Sequence, residues 1–263
     1  MNFPAYARLQ SMVPHPHLIF EILAYTVAFQ VYLWLRRRCG DPVSIGVRWT
    51  VIAAATAGAA LGSKMLYWFE NPVPTLHYWT NPAYLMGGKT IVGALVGGLL
   101  AVEFTKRFQG VRESTGDLFA VPLTIGIAIG RIGCFLTGLP DETSGTPTRL
   151  LWGVDFGDGI PRHPTQLYEI AFVALLGCLL WRFLFRAHRN GDVFKLFMVA
   201  YMGFRVLVEF IKPYDTRIAG LTAIQWVCIG VLVYYESDVR RWLQHHRAVP
   251  DHAVPDQDKS AAL

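Results

Sequence analysis

The stretch Gly126-Ile127-Ala128-Ile129-Gly130-Arg131-Ile132-Gly133-Cys134-Phe135-Leu136-Thr137-Gly138 places one arginine inside an apolar, glycine-rich segment. With the apolar residues before it, this segment is long enough to cross a bilayer, which takes about 20 residues. A cation in the hydrocarbon core costs at least about 2.5–3.5 kcal/mol, so it usually faces a protein interior or a water-filled cavity and has a partner. The glycines let a backbone or a ligand come close. We therefore expect Arg131 to meet an anionic lipid headgroup.

The composition is that of a membrane protein. Of the 263 residues, 53% are hydrophobic and only 16% are charged, whereas an average soluble domain has about 25% charged residues. The net charge is +5, but the basic residues lie between apolar runs, where they set topology and contact anionic lipids. This distribution argues against a nucleic-acid partner. The four cysteines are scattered and form no CxxC pair, so we expect no metal, no disulfide framework and no cofactor.

The apolar runs predict an all-α polytopic membrane protein with about seven transmembrane helices and a small extracytoplasmic head insertion. The runs cover roughly 18–35, 49–69, 84–104, 117–137, 165–185, 194–212 and 222–236. Lysines and arginines concentrate after the first, third, fifth and seventh runs, which places the N-terminus outside and the C-terminus in the cytoplasm. We expect two regions: a membrane domain over 1–242 and a disordered cytoplasmic tail over 243–263. The membrane domain contains an extracytoplasmic loop at 139–164 with a β-like piece at 151–156.

Several predicted helices place a charged residue at the same level, in the outer half of the membrane, if depth is counted at about 1.5 Å per residue. These residues are Glu21, Lys64, Lys89, Arg131, Glu169, Arg205 and Glu209. Arg205 and Glu209 are four residues apart, so one alternative is a purely structural pair within one helix. If the four cations converge, they outnumber the carboxylates and should bind a phospholipid phosphate, which guanidinium groups hold in bidentate fashion.

Three ordered blocks carry a family resemblance. They are Gly130-Arg131-Ile132-Gly133, followed by Cys134-Phe135 and Thr137-Gly138; Pro161-Arg162-His163-Pro164-Thr165-Gln166-Leu167-Tyr168-Glu169; and Tyr201-Met202-Gly203-Phe204-Arg205, followed by Val208-Glu209-Phe210. Weaker blocks are Gly62-Ser63-Lys64 and Gly87-Gly88-Lys89. In order and spacing these blocks resemble the prolipoprotein diacylglyceryl transferases, and the resemblance covers most of the second to seventh predicted spans.

The resemblance implies an enzyme of the bacterial inner membrane with an active site that faces the outer leaflet. Such enzymes transfer the diacylglyceryl group of phosphatidylglycerol to the thiol of a prolipoprotein lipobox cysteine, and glycerol phosphate leaves. By the resemblance, Arg131 and Arg205 stabilise the charge on the leaving phosphate. The other residues expected to contact or support the substrates are Gly130, Gly133, Cys134, Lys64, Lys89, Gln166, Tyr168, Glu169, Tyr201 and Glu209.

Some polar positions depart from the family pattern. Val92 stands where the family commonly has an essential histidine, Cys134 where it has asparagine, and Leu139 where it has glutamate. The proton acceptor could instead be His17, which lies four residues before Glu21 on one helix face.

His163 is the second candidate for the proton acceptor, because the flanking prolines hold it stiffly. The alternative for His163 is a structural role, with Gln166 and Glu169 capping the helix. Cys134 is expected to be a small buried hydrophobe rather than a nucleophile.

Two other functions stay open. One is the same lipid donor with a different acceptor, and the other is a degenerate member that only binds an anionic lipid. A transporter is disfavoured, because the sequence has no internal repeat.

Overall fold

The chain is mostly helical, in agreement with the predicted class. The computed structural model describes residues 15–213 and 217–247, the last three as backbone only. The helices are α1 (Pro16–Cys39), α2 (Ile45–Glu70), α3 (Pro72–His77), α4 (Pro82–Met86), α5 (Ile91–Phe108), α6 (Asp117–Thr137), α7 (Thr165–Leu184), α8 (Asp192–Val208), α9 (Ala223–Tyr234) and α10 (Glu236–Arg247). Short 3-10 turns cover Leu139–Asp141 and Glu209–Ile211.

The loop between α6 and α7 forms a small head. Its strands β1 (Val154–Asp155) and β2 (Pro161–Arg162) pair in antiparallel fashion, with Val154 opposite Arg162. The extended piece predicted within 151–156 is therefore confirmed as β1. Val154 and Phe156 are buried in a small apolar cluster under the hairpin.

Within the described residues, four helices have the length and hydropathy of a membrane span: α1, α2, α6 and α7. They make this a multi-pass helical membrane protein. The other three predicted spans overlap α5, α8 and α9, which have 18, 17 and 12 residues. The span predicted at 84–104 is wrong in its first part, because α4 ends at Met86 and α5 begins only at Ile91. α8 stops at Val208, before the predicted end at 212, because the chain tightens there into a 3-10 turn. Four of the seven predicted spans are thus confirmed as helices of spanning length, and the number seven itself stays a prediction.

Helices α2 and α5 cross with their backbones in contact. Gly58 and Gly62 on α2 face Gly93 and Gly97 on α5, and a Cβ added to Gly62 would lie 2.8 Å from the Cα of Gly97. Each helix thus presents a small-xxx-small pair, the pattern that lets membrane helices approach closely. Helix α8 lies at the centre of the apolar core, and its Phe197, Met198, Tyr201 and Met202 are all 0% exposed.

Polar contacts at one end of the bundle join the starts of α2, α6 and α8. Arg48 is fully buried, binds Asp41 through Nη2 at 2.6 Å and donates from Nη1 to the Thr115 carbonyl at 2.8 Å. Asp117 accepts the backbone N–H of Gly191 at 2.6 Å.

Helix α10 docks at this same end through an ion pair of 2.6 Å between Arg241 and Asp192. It continues to Arg247, past residue 243 where the tail was predicted to begin. The rest of the predicted tail, 248–263, lies outside the described residues.

Candidate functional site

Three helices meet in a buried ion-pair cluster at the opposite end of the bundle. Glu169 of α7 is 2% exposed and receives Arg131 of α6 and Arg205 of α8 at a single oxygen, Oε2. The Arg131 Nε–Oε2 distance is 2.9 Å and the Arg205 Nη1–Oε2 distance is 3.3 Å. The other carboxylate oxygen of Glu169 accepts the Tyr201 hydroxyl at 2.6 Å. Glu169 therefore positions both guanidinium groups.

The cluster extends along the end of α8. Arg205 Nη2 donates to Glu209, and Lys212 Nζ lies 3.9 Å from the same Glu209 oxygen. All six members are at most 6% exposed, and we call them the arginine cluster: Arg131, Glu169, Tyr201, Arg205, Glu209 and Lys212. The pair predicted within one helix exists, but Arg205 also reaches across to α7.

Both arginines keep a donor without a hydrogen bond. Nε of Arg131 and Nε of Arg205 are buried and have no hydrogen-bond partner among the described residues. The Arg131 Nε–Glu169 contact is close enough for an ion pair but not aligned for a hydrogen bond. A buried donor left unpaired costs about 1–3 kcal/mol. Two such donors beside one carboxylate are a place where an oxyanion gains hydrogen bonds.

The charges of the arginine cluster are nearly balanced. Its ion pairs join three cations to two carboxylates among the described residues. A further buried carboxylate, Glu70 at the end of α2, interacts electrostatically with Arg205 and Lys212 and accepts the Ile224 N–H at 2.9 Å. The predicted excess of positive charge is therefore small, and the free arginine donors are the better evidence for an anion site.

A second polar group adjoins Arg131 on its outer side. Arg131 Nη1 lies 3.7 Å from Cys134 Sγ, and Cys134 is 8% exposed. His17 of α1 approaches the same place, with Nδ1 at 3.0 Å from Asp141 Oδ1. Glu21 lies 3.9 Å from His17 and 2.5 Å from Lys89. We call His17, Glu21, Lys89, Cys134 and Asp141 the outer group.

Local sequence explains how the outer group forms. Gly133 lets α1 lie against α6, because a Cβ there would be 2.7 Å from the Cβ of Phe20. Gly138 ends α6 with φ +73°, and the following 3-10 turn brings Asp141 back over the helix end. Burial opposes the charge of Asp141, but contacts with His17 and Thr143 favour it, and the pKa of Asp141 lies below its usual range.

A lateral groove of about 660 Å³ runs between α6 and α7. Its lining includes Thr124, Ala128, Val173, Gly177 and Trp181. Ala128 and Val173 lie about one helical turn from Arg131 and Glu169 respectively. The groove is thus mostly apolar along its length. Arg182 is the charged residue in its lining, and the other end of the groove approaches Arg131 and Glu169.

Comparison with known proteins agrees with this geometry. A family model described as prolipoprotein diacylglyceryl transferase matches residues 19–235. The chain belongs to this family. A phosphatidylglycerol–prolipoprotein diacylglyceryl transferase of Bordetella bronchiseptica is 34% identical over 80% of this chain and 86% of its own length.

Two further relatives carry the same name. The protein of Nitratidesulfovibrio vulgaris is 34% identical over 79% of this chain and 81% of its own length. That of Polynucleobacter necessarius is 30% identical over 88% of this chain and 92% of its own length.

The three family blocks supply five of the six members of the arginine cluster, and Lys212 follows the third block. The first block provides Arg131, the second Glu169, and the third Tyr201, Arg205 and Glu209. The sequence names all five as candidate site residues, with Glu169 only among the substrate contacts, and the structure brings the five together. Gly130 has open space beside it, since an added Cβ would meet nothing within 4 Å.

Lys64 and Lys89 lie apart from the arginine cluster. Lys64 Nζ donates to the backbone carbonyls of Met86, Gly87 and Gly88, the last two at 2.6 and 2.8 Å. Lys89 pairs with Glu21, and its side chain is 58% exposed. Among the described residues, neither lysine forms an ion pair or hydrogen bond with a member of the arginine cluster. Their predicted roles as substrate contacts stay predictions.

His163 lies in the head, beside Tyr168. Its Nδ1 is 3.3 Å from the Tyr168 hydroxyl, which also accepts the Trp152 indole N–H at 2.8 Å. Gln166 does not cap α7 but donates to Thr143 at 3.1 Å. The described contacts of His163 include none with the arginine cluster, and its role as proton acceptor stays a prediction.

Two residues of the site, Asp141 and Lys212, are not predicted from the sequence. The family commonly carries a glutamate at the position of Leu139, and the acid stands two residues later in this chain. The signal that could have identified Asp141 is its position three residues after Gly138, at the end of the first block. Lys212 is buried beside Glu209, and no motif in the sequence marks it as a site residue. Val92, at the position of the family histidine, is fully buried in the apolar core.

Proposed function

We propose that this protein transfers the diacylglyceryl group of phosphatidylglycerol to the thiol of a prolipoprotein cysteine and releases glycerol phosphate. One observation carries the proposal: two buried arginines from two family blocks converge on Glu169, and each keeps an unpaired Nε donor. The relatives named for this activity, which cover about four fifths of the chain, support the same conclusion.

The transfer is a displacement at a saturated carbon. The acceptor S–H loses its proton, the sulfur forms a bond to the glyceryl carbon, and the bond from that carbon to the phosphate oxygen breaks. Glycerol phosphate leaves with the electron pair of that bond. Fixed guanidinium donors stabilise the charge that develops on this oxygen, an effect worth roughly 10²–10³ in rate for one donor.

Arg131 links the two halves of the reaction. Its Nε faces Glu169 and the phosphate position, while its Nη1 faces Cys134 in the outer group. We assign the phosphate to Arg131 and Arg205, and the deprotonation of the thiol to the outer group around His17. The acyl chains of the donor lie in the groove between α6 and α7. Tyr201 and Glu209 hold the guanidinium groups in register.

We further propose seven spans, an outer N-terminus, a cytoplasmic C-terminus, and a site that faces the outer leaflet of the inner membrane. The contacts support antiparallel helices: the starts of α2, α6 and α8 meet at one end, while His17, near the start of α1, meets the end of α6 at the other. Basic residues Arg36, Arg37 and Arg38 lie at the first of these ends, which is the cytoplasmic one by the positive-inside rule. The tail 248–263 is then cytoplasmic.

The test supplies the purified protein with phosphatidylglycerol labelled in its terminal glycerol and with a lipobox peptide. Labelled glycerol phosphate and a lipid-modified peptide are expected. Tight lipid binding without release would favour a protein that only binds anionic lipid. Release that needs a different acceptor would favour another thiol, an alcohol or another lipid, a candidate suggested by Val92 in place of the family histidine.

Complementation in cells provides the second test. The protein should restore growth of a strain depleted of its own diacylglyceryl transferase, whereas the Arg131→Lys and Arg205→Lys variants should not. Failure of the unmutated protein, at normal membrane levels, would count against the prolipoprotein acceptor.

A further inference from the structure

Three metal-binding atom types converge in the outer group. The ligand atoms of His17, Cys134 and Asp141 all lie within 4.8 Å of one another. They come from α1, from α6 and from the 3-10 turn that follows α6. We propose that His17, Cys134 and Asp141 bind a divalent transition metal of the zinc class.

The donor set suits zinc. Zn²⁺ is bound by cysteine sulfur, histidine nitrogen and carboxylate oxygen, and sites with three protein ligands keep a fourth position open. Soft thiolate disfavours Mg²⁺ and Ca²⁺, which prefer all-oxygen ligands. The side chain of His17 is 35% exposed, whereas Asp141 is only 10% exposed. The open position therefore lies on the side of His17 that is reached from outside the bundle.

One nitrogen of the His17 imidazole faces Asp141 inside the site. Nδ1 of His17 is buried and has no hydrogen-bond partner among the described residues, although Asp141 Oδ1 lies 3.0 Å away. His17 Nδ1 and Asp141 Oδ1 form an ion pair when the imidazole is protonated, and a metal ion bound by both atoms would take the place of that proton. Tetrahedral bonds of about 2.0–2.3 Å place ligand atoms about 3.3–3.8 Å apart, so small side-chain rotations close the site.

Neighbouring residues fix the orientation of two ligands. Thr143 donates from Oγ1 to Asp141 Oδ2 at 2.6 Å, which leaves Oδ1 to face the site. Arg131 Nη1 donates to Cys134 Sγ at 3.7 Å, a contact that would stabilise this sulfur as a metal-bound thiolate. Such outer contacts orient and tune metal ligands.

The charges also balance at this site. One thiolate and one carboxylate neutralise a divalent cation, and Glu169 compensates the guanidinium of Arg131. The metal therefore adds no unpaired charge beside the arginine cluster.

If the proposed function holds, the metal site also explains how the acceptor thiol loses its proton. An acceptor thiol that takes the open position is deprotonated outright by coordination. Its proton leaves to water, its sulfur then forms the bond to carbon, and the oxidation state of the metal does not change. The metal thus replaces the missing family histidine as the cause of thiolate formation, and His17 acts as a ligand.

The test uses full-length protein in detergent, purified without a histidine tag and stripped of metal. One equivalent of Co²⁺ should give thiolate-to-cobalt charge-transfer absorption in the near ultraviolet and d–d bands in the visible, and Zn²⁺ should abolish both. The near-ultraviolet absorption should disappear in Cys134→Ser. His17→Ala and Asp141→Asn should each weaken Co²⁺ binding at least about tenfold.

Cys178→Ser is the matched control, because Cys178 is an exposed cysteine on α7, and it should keep the full spectrum. Size-exclusion profiles establish that each variant is folded. The same spectrum in Cys134→Ser, or its absence from the unmutated protein at saturating Co²⁺, would overturn the proposal.

Activity separates this proposal from the proposed function. If metal-free protein transfers lipid at the full rate and binds no Co²⁺, the metal site fails while the transferase stands. If Co²⁺ binds as described but no glycerol phosphate is released with a lipobox peptide, the metal site stands and the transferase fails. Activity lost on chelation and restored by Zn²⁺ supports both.

Discussion

At the scale of single residues, the site depends on Glu169. One of its oxygens serves Arg131 and Arg205, and the other accepts the Tyr201 hydroxyl, all with almost no solvent contact. Removing one partner of a buried ion pair costs about 3–5 kcal/mol, because the other charge stays buried and unpaired. A truncation of Glu169 would therefore test folding rather than catalysis, and milder changes are needed.

Replacing either cluster arginine by lysine should lower activity without unfolding the protein. Arg131→Lys and Arg205→Lys keep the positive charge but lose the planar, bidentate donor set. We expect glycerol phosphate release to fall at least about 10²-fold, since each donor acts on the developing phosphate charge. Single-turnover release from labelled phosphatidylglycerol measures this. Arg240→Lys, at a side chain that is 69% exposed on α10, is the control and should keep full activity.

Removing the Tyr201 hydroxyl should destabilise the protein. Tyr201→Phe deletes the 2.6 Å hydrogen bond to Glu169 and leaves a buried charged oxygen short of a donor. Hydrogen bonds to charged groups contribute about 1.5–3 kcal/mol, and we expect a loss of that size in the free energy of unfolding. Denaturant unfolding in detergent measures it. Tyr234→Phe, at a side chain that is 67% exposed, should change stability by less than about 0.5 kcal/mol; equal losses in both variants would refute the assignment.

At the scale of elements, the backbone contact between α2 and α5 fixes the spacing of two helices that carry or adjoin charged residues near the site. α2 carries Glu70 at its end, and the loop before α5 carries Lys89. The spacing of these two helices is therefore expected to matter for the site as well as for stability.

Gly62→Ala should push α2 and α5 apart. The new Cβ would lie 2.8 Å from the Cα of Gly97, where only backbone could yield. Overpacking of this kind costs about 1–3 kcal/mol, and thermal unfolding in detergent should show a fall of several degrees. Gly230→Ala on α9 meets nothing within 4 Å and should raise stability slightly, since alanine favours a helix by about 0.5–1 kcal/mol. An unchanged thermal stability of Gly62→Ala would contradict the close backbone contact between α2 and α5.

The loop between α1 and α2 should give a pH-dependent contribution to stability. Burial opposes ionisation of Asp41, but Arg48 and Arg36 favour it, and the pKa of Asp41 is lowered. A lowered pKa gives stability that is present above the unfolded value of about 3.9 and is lost as the pH falls through the folded value. The stability difference between native protein and Asp41→Asn should thus be largest above about pH 4 and narrow below it. A stability difference that stays constant down to pH 3 would rule out this contribution of Asp41.

At the scale of the whole molecule, the two ends of the helix bundle hold different sets of charged residues. One end joins Arg48, Asp117 and Asp192 to loops and to α10, whereas the other end holds the arginine cluster and the outer group. This division predicts which end faces which compartment.

Cysteine labelling should place the head outside the cell membrane and α10 inside. Leu151→Cys, at a head residue that is 96% exposed, should react with an impermeant maleimide in intact spheroplasts. Arg240→Cys should react only after lysis. Both variants are made in a background in which the exposed Cys39 and Cys178 are serine. The reverse pattern would invert the proposed topology and place the site toward the cytoplasm.

Much of this molecule follows from local patterns in the sequence. Long apolar runs predict α1, α2, α6 and α7 because the cost of burying backbone in lipid leaves helices as the available structure. The block Gly130-Arg131-Ile132-Gly133 and the other two family blocks predict Arg131, Arg205 and Glu209 as site residues, because they resemble the blocks of a known family. Local patterns were weaker for α8 and α9, whose lengths depend on a 3-10 turn and on packing.

The sequence by itself determined that the chain is helical, lies in a membrane and carries unusual intramembrane charge, because hydropathy and helical spacing are properties of short segments. Only the tertiary structure decided which charges meet. It separated Lys64 and Lys89 from the arginines, gave Glu169 to both guanidinium groups, and brought Asp141 and Cys134 to His17. The physical reason is that such contacts join residues on different helices and loops, and helix packing, rather than spacing along the chain, sets their distances.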